Sequence, residues 1–110
     1  MSTGGRPDVV IVHVGNNGII TEKQLRSMLK DLLSVRRVVL VNVRVPRPWM
    51  APNNRLFAAV APDYPNTRLV DWAALSDGHE DYVVRDGVHL TWKGARAYTR
   101  AIAEAAGVES

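Results

Sequence analysis

The segment Asp86-Gly87-Val88-His89 places a carboxylate three residues before an imidazole, with a glycine between them. Folded back, that spacing brings the Asp86 carboxylate to the Nδ1–H of His89, fixes the tautomer and leaves Nε2 free as a general base. A general base of this kind activates a hydroxyl nucleophile for acyl transfer. A second chemical element is Gly15-Asn16-Asn17-Gly18. The side-chain amide of Asn17 and the backbone N–H groups of such a turn are donors suited to a developing oxyanion. Asn16 beside it is a candidate substrate contact. Arg44, Arg47 and Trp49 lie in one Pro-rich stretch, combine guanidinium groups with an indole, and are candidate substrate contacts. Each has a plainer reading. Asp-Gly is a common turn, a His before a helix is commonly solvated, Asn17 is an ordinary turn residue, and the Arg44 to Trp49 stretch also reads as a stiff connector. His13 reads as a packed, hydrogen-bonded core residue within a strand, and His79 as a surface loop residue. Asp71 either faces the cleft or caps the turn at Trp72.

Several chemistries are disfavoured by the same inspection. The three histidines lack ligand-like spacing, so no metal site is expected. Gly15 to Gly18 matches neither a Walker loop nor a dinucleotide fingerprint, and no cofactor is expected. The 110 residues contain no cysteine, which excludes disulfides, thiol catalysis and thiolate metal sites. A formal net charge of +3 and a pI near 9.7 raise the question of nucleic acid. The basic residues are scattered, with only Arg36-Arg37 adjacent, and nucleic-acid binding is not expected. The longest apolar runs, Val9 to Val12 and Val38 to Val41, fall far short of the roughly 20 residues of a membrane span. The polar start, Met1 to Gly5, does not read as a signal peptide.

The elements that must position these groups alternate. Residues 1–7 read as a flexible lead-in, and residues 8–107 as one domain. Asp8 to Val14 is almost continuously apolar and β-branched, the pattern of a strand buried on both faces of a parallel sheet. Thr21 with Gln24 forms a capping box opening a helix, stapled by Ile20 against Leu25. Its buried stripe is Leu25, Met28, Leu29 and Leu32. Arg37 to Val45 is a second strand, ended by Pro46, Pro48 and Pro52. A short helix is expected from Asn54 to Ala61, with Leu56, Phe57 and Val60 inward, then a third strand from Arg68 to Asp71. A final helix runs from Trp92 to Ala106, with Thr91 as N-cap and Gly107 beyond its end. The order predicts an α/β fold of three parallel strands with flanking helices, whose ligands bind at the carboxyl ends of the strands. The three candidate segments fall at those ends.

VIVHVGNNG resembles the Gly-x-Asn-Asp block of SGNH hydrolases, with Gly15 and Asn17 at the Gly and Asn positions. DGVHLTWKGARAY resembles their Asp-x-x-His block and following helix. RRVVLVNVRVPRPW…NN, YPNTRLVDW and S-x-GH resemble the SGNH domains attached to bacterial membrane acyltransferases, a group that includes the peptidoglycan O-acetyltransferases. The resemblance spans Asp8 to Ala106 and implies a flavodoxin-like three-layer fold. It also implies acyl-ester chemistry on an acylated carbohydrate or small ester, with His89 as base, Asp86 as its orienting acid and Asn17 as oxyanion donor. Gly18 stands where many relatives have Asp. The family's nucleophile is a Ser in a Gly-Asp-Ser block well upstream of Gly-x-Asn. Only fourteen residues precede Gly15 here, and no such block lies among them.

Of Ser2, Ser27, Ser34, Ser76 and Ser110, only Ser76 is expected near the cleft. The chain therefore reads as the C-terminal part of such a domain, either an incomplete enzyme or a non-catalytic binding module. Without strands beside it, Asp8 to Val14 becomes an open apolar edge, expected to take a second copy or the missing N-terminal half. The resemblance suggests the cell envelope as location, although no address is seen in the chain and no membrane contact is expected of it alone.

Overall fold

The computed structural model describes residues 8–86 and 89–107; the lead-in 1–7 and the pair Gly87-Val88 lie outside them. Its first strand, β1 (Val9–His13), leads into α1 (Glu22–Asp31), β2 (Arg37–Val41), α2 (Met50–Val60) and β3 (Thr67–Val70). A single turn, α3 (Trp72–Leu75), and a long loop then reach α4 (Trp92–Ala106). The sheet is parallel in the order β1-β2-β3, with Val9 opposite Arg37 and Val38 opposite Thr67. Three strands in sequence order, joined by right-handed crossovers, put α1 and α2 on the same face.

Alternation along β2 divides the core. Val38 and Leu40 pack with Leu25, Leu29, Phe57 and Val60 of α1 and α2. Val39 and Val41 pack on the other face with Val70, Trp72 and Ala106. All four β2 side chains are fully buried, as a central parallel strand requires. β1 differs. Val12 is buried, whereas Ile11, on the α4 face, is 51% exposed, and β1 pairs only with β2 among the described residues.

The helix starts follow local chemistry. Thr21 accepts from the N–H of Gln24, and the Gln24 side chain accepts from the N–H of Thr21, completing the capping box. Thr91 caps α4 by accepting from the N–H of Gly94, and Gly107 closes it in the left-handed conformation at φ +79°. The second helix departs from expectation. It begins at Met50, four residues before Asn54, and carries Pro52 in its first turn. A proline is tolerated there because the N–H it lacks would have had no intrahelical partner. The second strand is also shorter than expected. Its ladder ends at Val41, and Asn54 takes over beyond it, accepting from the Val43 N–H (2.9 Å) and donating to the Val43 carbonyl (2.8 Å).

Candidate active site

The turn after β1 is held from α2. Asn53, 1% exposed, accepts from the Ile20 N–H (2.9 Å) and donates to the carbonyls of Gly15 (3.1 Å) and Gly18 (2.9 Å). Gly15 adopts φ +100°, and a Cβ there would stand 3.0 Å from Asn53 Nδ2 and 3.2 Å from Val43, so both backbone and space favour glycine. The indole N–H of Trp49 donates to the Asn16 carbonyl (3.1 Å). These bonds fix the frame on which Asn17 stands exposed.

The Asp86–His89 pair is held from the other face. The Thr91 N–H donates to the Tyr82 carbonyl (2.9 Å), and Val83 bridges antiparallel to Leu90. Lys93 pairs with Asp81 at 2.7 Å; each shifts the other, the lysine upward and the carboxyl downward. Across the loop neck, Asp86 accepts from the backbone N–H of His89 (3.0 Å), and its second oxygen meets His89 Nδ1 in a short contact. The ring is therefore held at Nδ1, and 81% of the side chain is exposed.

Asn16 and Asn17 on one side, Val45, Pro46, Arg47 and Trp49 on a second, and Asp86 and His89 on a third line one cleft of about 510 Å³. Six of the seven residues singled out from the sequence thus share a cavity. Arg44 is turned away, donating to the Ser76 carbonyl (2.6 Å), and it lines an adjoining pocket with Asn16.

Ser76 does not stand in the cleft. It is fully buried, and its hydroxyl donates to the Trp72 carbonyl (2.6 Å). Ser27 and Ser34 are exposed around α1 and line none of this cleft, while Ser2 and Ser110 lie outside the described residues. Asp71 is a cap, accepting from the Ala74 N–H (3.0 Å) and from Asn42 Nδ2 (2.8 Å). No group of His, Asp and Glu among the described residues has a geometry that could hold a metal ion.

His13 is not a core residue. It ends β1 at the rim, exposed, with Nδ1 2.7 Å from the Tyr98 hydroxyl. It also begins a run of ring contacts invisible in the sequence. His13 stacks on Tyr98, Tyr98 meets Trp72 edge-on, Trp72 stacks on Tyr82, and Tyr82 stacks on His79, which is exposed as expected. This run links the β1 end to the start of the loop carrying Asp86 and His89.

Desolvation lowers the pKa of His13 below the usual 6.5 and raises that of Tyr98. Both are then neutral at pH 7 and share one hydrogen bond between the phenol and Nδ1. A histidine with a depressed folded pKa contributes stability that is full above its unfolded pKa and is lost as pH falls from there through the folded value. The melting temperature should therefore fall from pH 7 to pH 5 more steeply in the wild type than in His13→Gln. Equal slopes in thermal melts across that range would remove this role.

No family model matches the sequence. The chain is 45% identical over 89 residues to a peptidoglycan O-acetyltransferase, OatA, of Listeria monocytogenes, covering 81% of the chain and 14% of that protein. It is 39% identical over 90 residues to the O-acetyltransferase OatA of Staphylococcus aureus, covering 82% of the chain and 15% of that protein. The chain thus spans about a seventh of the length of these relatives. In fold it is similar to a solved structure described as a GDSL-like lipase, from Parabacteroides merdae, with a TM-score of 0.72 at 21% identity. That match covers 94% of this chain and 62% of the other. The α/β architecture and the sequence likeness each find a counterpart: the chain shares its fold with the GDSL-like lipase structure and is related in sequence to a segment of the O-acetyltransferases.

Proposed function

We propose that this chain provides the acid–base half of a Ser-His-Asp site for acyl-ester hydrolysis or O-acetyl transfer on a carbohydrate of the cell envelope. His89 acts as general base and acid through Nε2, Asp86 orients it, and Asn17 with the turn amides donates to the oxyanion. Asn16, Arg47 and Trp49 hold the sugar, and Arg44 backs them from the adjoining pocket. The observation that carries this reading is the Asp86–His89 clamp opening onto the same cleft as Asn16 and Asn17. The O-acetyltransferase relatives support the acetyl group and the carbohydrate acceptor. None of Ser27, Ser34 and Ser76 reaches the cleft, so the serine comes from residues other than these. The same observation favours one second reading, a module that binds glycans through this cleft without turnover.

The open edge of β1, with Ile11 exposed beside it, is where a complementing segment or a second copy adds a strand. No helix among the described residues is long and apolar enough to cross a membrane, and the segment 8–107 is proposed to act as one domain.

The test is a fluorophosphonate probe, read by intact mass on the purified chain with and without the relatives' preceding domain segment. The expected result is an adduct formed only when that segment supplies a serine, and abolished by His89→Ala. An adduct unaffected by His89→Ala overturns the assignment of the base. Size exclusion of the chain alone reads the edge: a species larger than the 12.1 kDa monomer is expected, and a monomer that melts cooperatively overturns it.

A further inference from the structure

Of the six asparagines in the chain, the structure treats Asn17 unlike the other five. Asn42 and Asn53 are buried, and the side-chain amides of Asn42, Asn53, Asn54 and Asn66 all donate to carboxylate or carbonyl oxygens. Asn16 is half-buried, and the residue after it carries a side chain. Asn17 is exposed, its amide meets no partner among the described residues, and the next residue is a glycine.

The backbone of the turn is divided in the same way. Asn53 and Trp49 tie down the carbonyls of Gly15, Asn16 and Gly18. The peptide joining Asn17 to Gly18 lies between these anchors, and neither its carbonyl nor its N–H is hydrogen-bonded among the described residues. The Gly18 nitrogen is thus unengaged, beside a side-chain amide that is also free, and no Cβ on Gly18 blocks the approach of one to the other.

We propose that Asn17 is a self-modification site, at which the chain converts its own side-chain amide into a carboxylate. The Gly18 nitrogen gives up its proton to solvent and attacks Asn17 Cγ. The new N–C bond closes a five-membered succinimide, and the bond from Cγ to the amide nitrogen breaks, releasing ammonia. Water then adds to one of the two imide carbonyls and opens the ring. Breaking the bond to Cγ leaves aspartate at position 17, and breaking the bond to the backbone carbonyl leaves isoaspartate. The balance is one water taken up and one ammonia released, with no oxidation or reduction.

The consequence for the cleft rests on the acyl-transfer reading. There the product loses the N–H donors of Asn17 and sets a second carboxylate beside Asp86, in a cleft whose one cationic lining side chain at neutral pH is Arg47. A developing oxyanion then meets repulsion in place of a donor, so the conversion switches the site off.

The modification can be read without a nucleophile or a substrate. Folded chain is incubated at mildly alkaline pH in water enriched in oxygen-18, beside a synthetic peptide spanning Val10 to Glu22 and the Asn17→Gln chain. Peptide mapping locates the change, and enzymatic methylation detects isoaspartate. Asn17 is expected to convert first among the six asparagines, on the timescale of the peptide, taking up one heavy oxygen and yielding isoaspartate together with aspartate. Asn17→Gln should stay unchanged over that interval, because its ring would need six members. Asn17 surviving in the folded chain after the peptide has converted would show that the turn protects it and would overturn the proposal. Conversion of Asn16 first, or aspartate formed without isoaspartate, would overturn it equally. If the converted chain still supports labelling that depends on His89, the modification stands and the oxyanion role of Asn17 falls.

Discussion

Asn53→Ala should lower the stability of the chain by about 3 kcal/mol and release the turn that presents Asn16 and Asn17. The side chain is almost wholly buried and makes three bonds to backbone groups at Gly15, Gly18 and Ile20. Alanine leaves one N–H donor and two carbonyls without these partners, and an unsatisfied buried polar group costs about 1–3 kcal/mol. On a domain of this size the melting temperature falls by roughly 15 °C. Asn53→Asp keeps the acceptor for Ile20 but sets a buried carboxylate oxygen against the Gly15 and Gly18 carbonyls, so its loss should be at least as large as that of alanine. Amide spectra should show the Gly15–Gly18 signals shifting or broadening in both variants while the Asp86–His89 loop stays in place. A drop below 1 kcal/mol in chemical denaturation would mean that water replaces Asn53 at no cost and that the turn holds itself.

Gly94→Ala is the matching experiment on the other half of the site. Helix propensity alone predicts that replacing a glycine within α4 stabilises the chain by about 1 kcal/mol. The structure predicts the opposite sign. A Cβ at Gly94 would collide with the Tyr82 carbonyl oxygen, standing 2.7 Å from its carbon and 2.9 Å from the Tyr82 Cα. That carbonyl also accepts from Thr91, so it cannot retreat without opening the neck of the loop. Overpacking of this kind costs about 1–3 kcal/mol, and a net loss of about 1 kcal/mol is expected after the helical gain. The His89 ring signals should move with it. A more stable Gly94→Ala would show that the loop neck yields freely.

What was legible in the sequence is what local chemistry decides. Thr21 with Gln24, Thr91 with Gly107, and the run of valines in β2 each specify their element within a few residues. Asp86 and His89 are three apart, so their contact is also local. The start of α2 is hidden in the sequence because Pro48 and Pro52 look like breakers, yet Pro52 falls in the first turn where a proline costs little. Asn53 was invisible as a scaffold residue because its partners lie 33 to 38 positions away. The His13–Tyr98 contact spans 85 positions and depends on the sheet and α4 already being in place. Ser76 looked available because its loop is polar, whereas its hydroxyl closes the end of α3 from inside.

The division of the core by β2 has a mechanical consequence. The Asn16–Asn17 turn is fastened to α2 on one face of the sheet, and the Asp86–His89 clamp is fastened to α4 on the other. The site is thus a pair of jaws mounted on opposite sides of one strand. Each jaw is held by its own hydrogen bonds, so a twist of the sheet would act first on the gap between them. The Tyr98–His13 hydrogen bond ties the α4 jaw to the end of β1, next to the other jaw. Losing that tie leaves both halves intact and alters how far apart they stand.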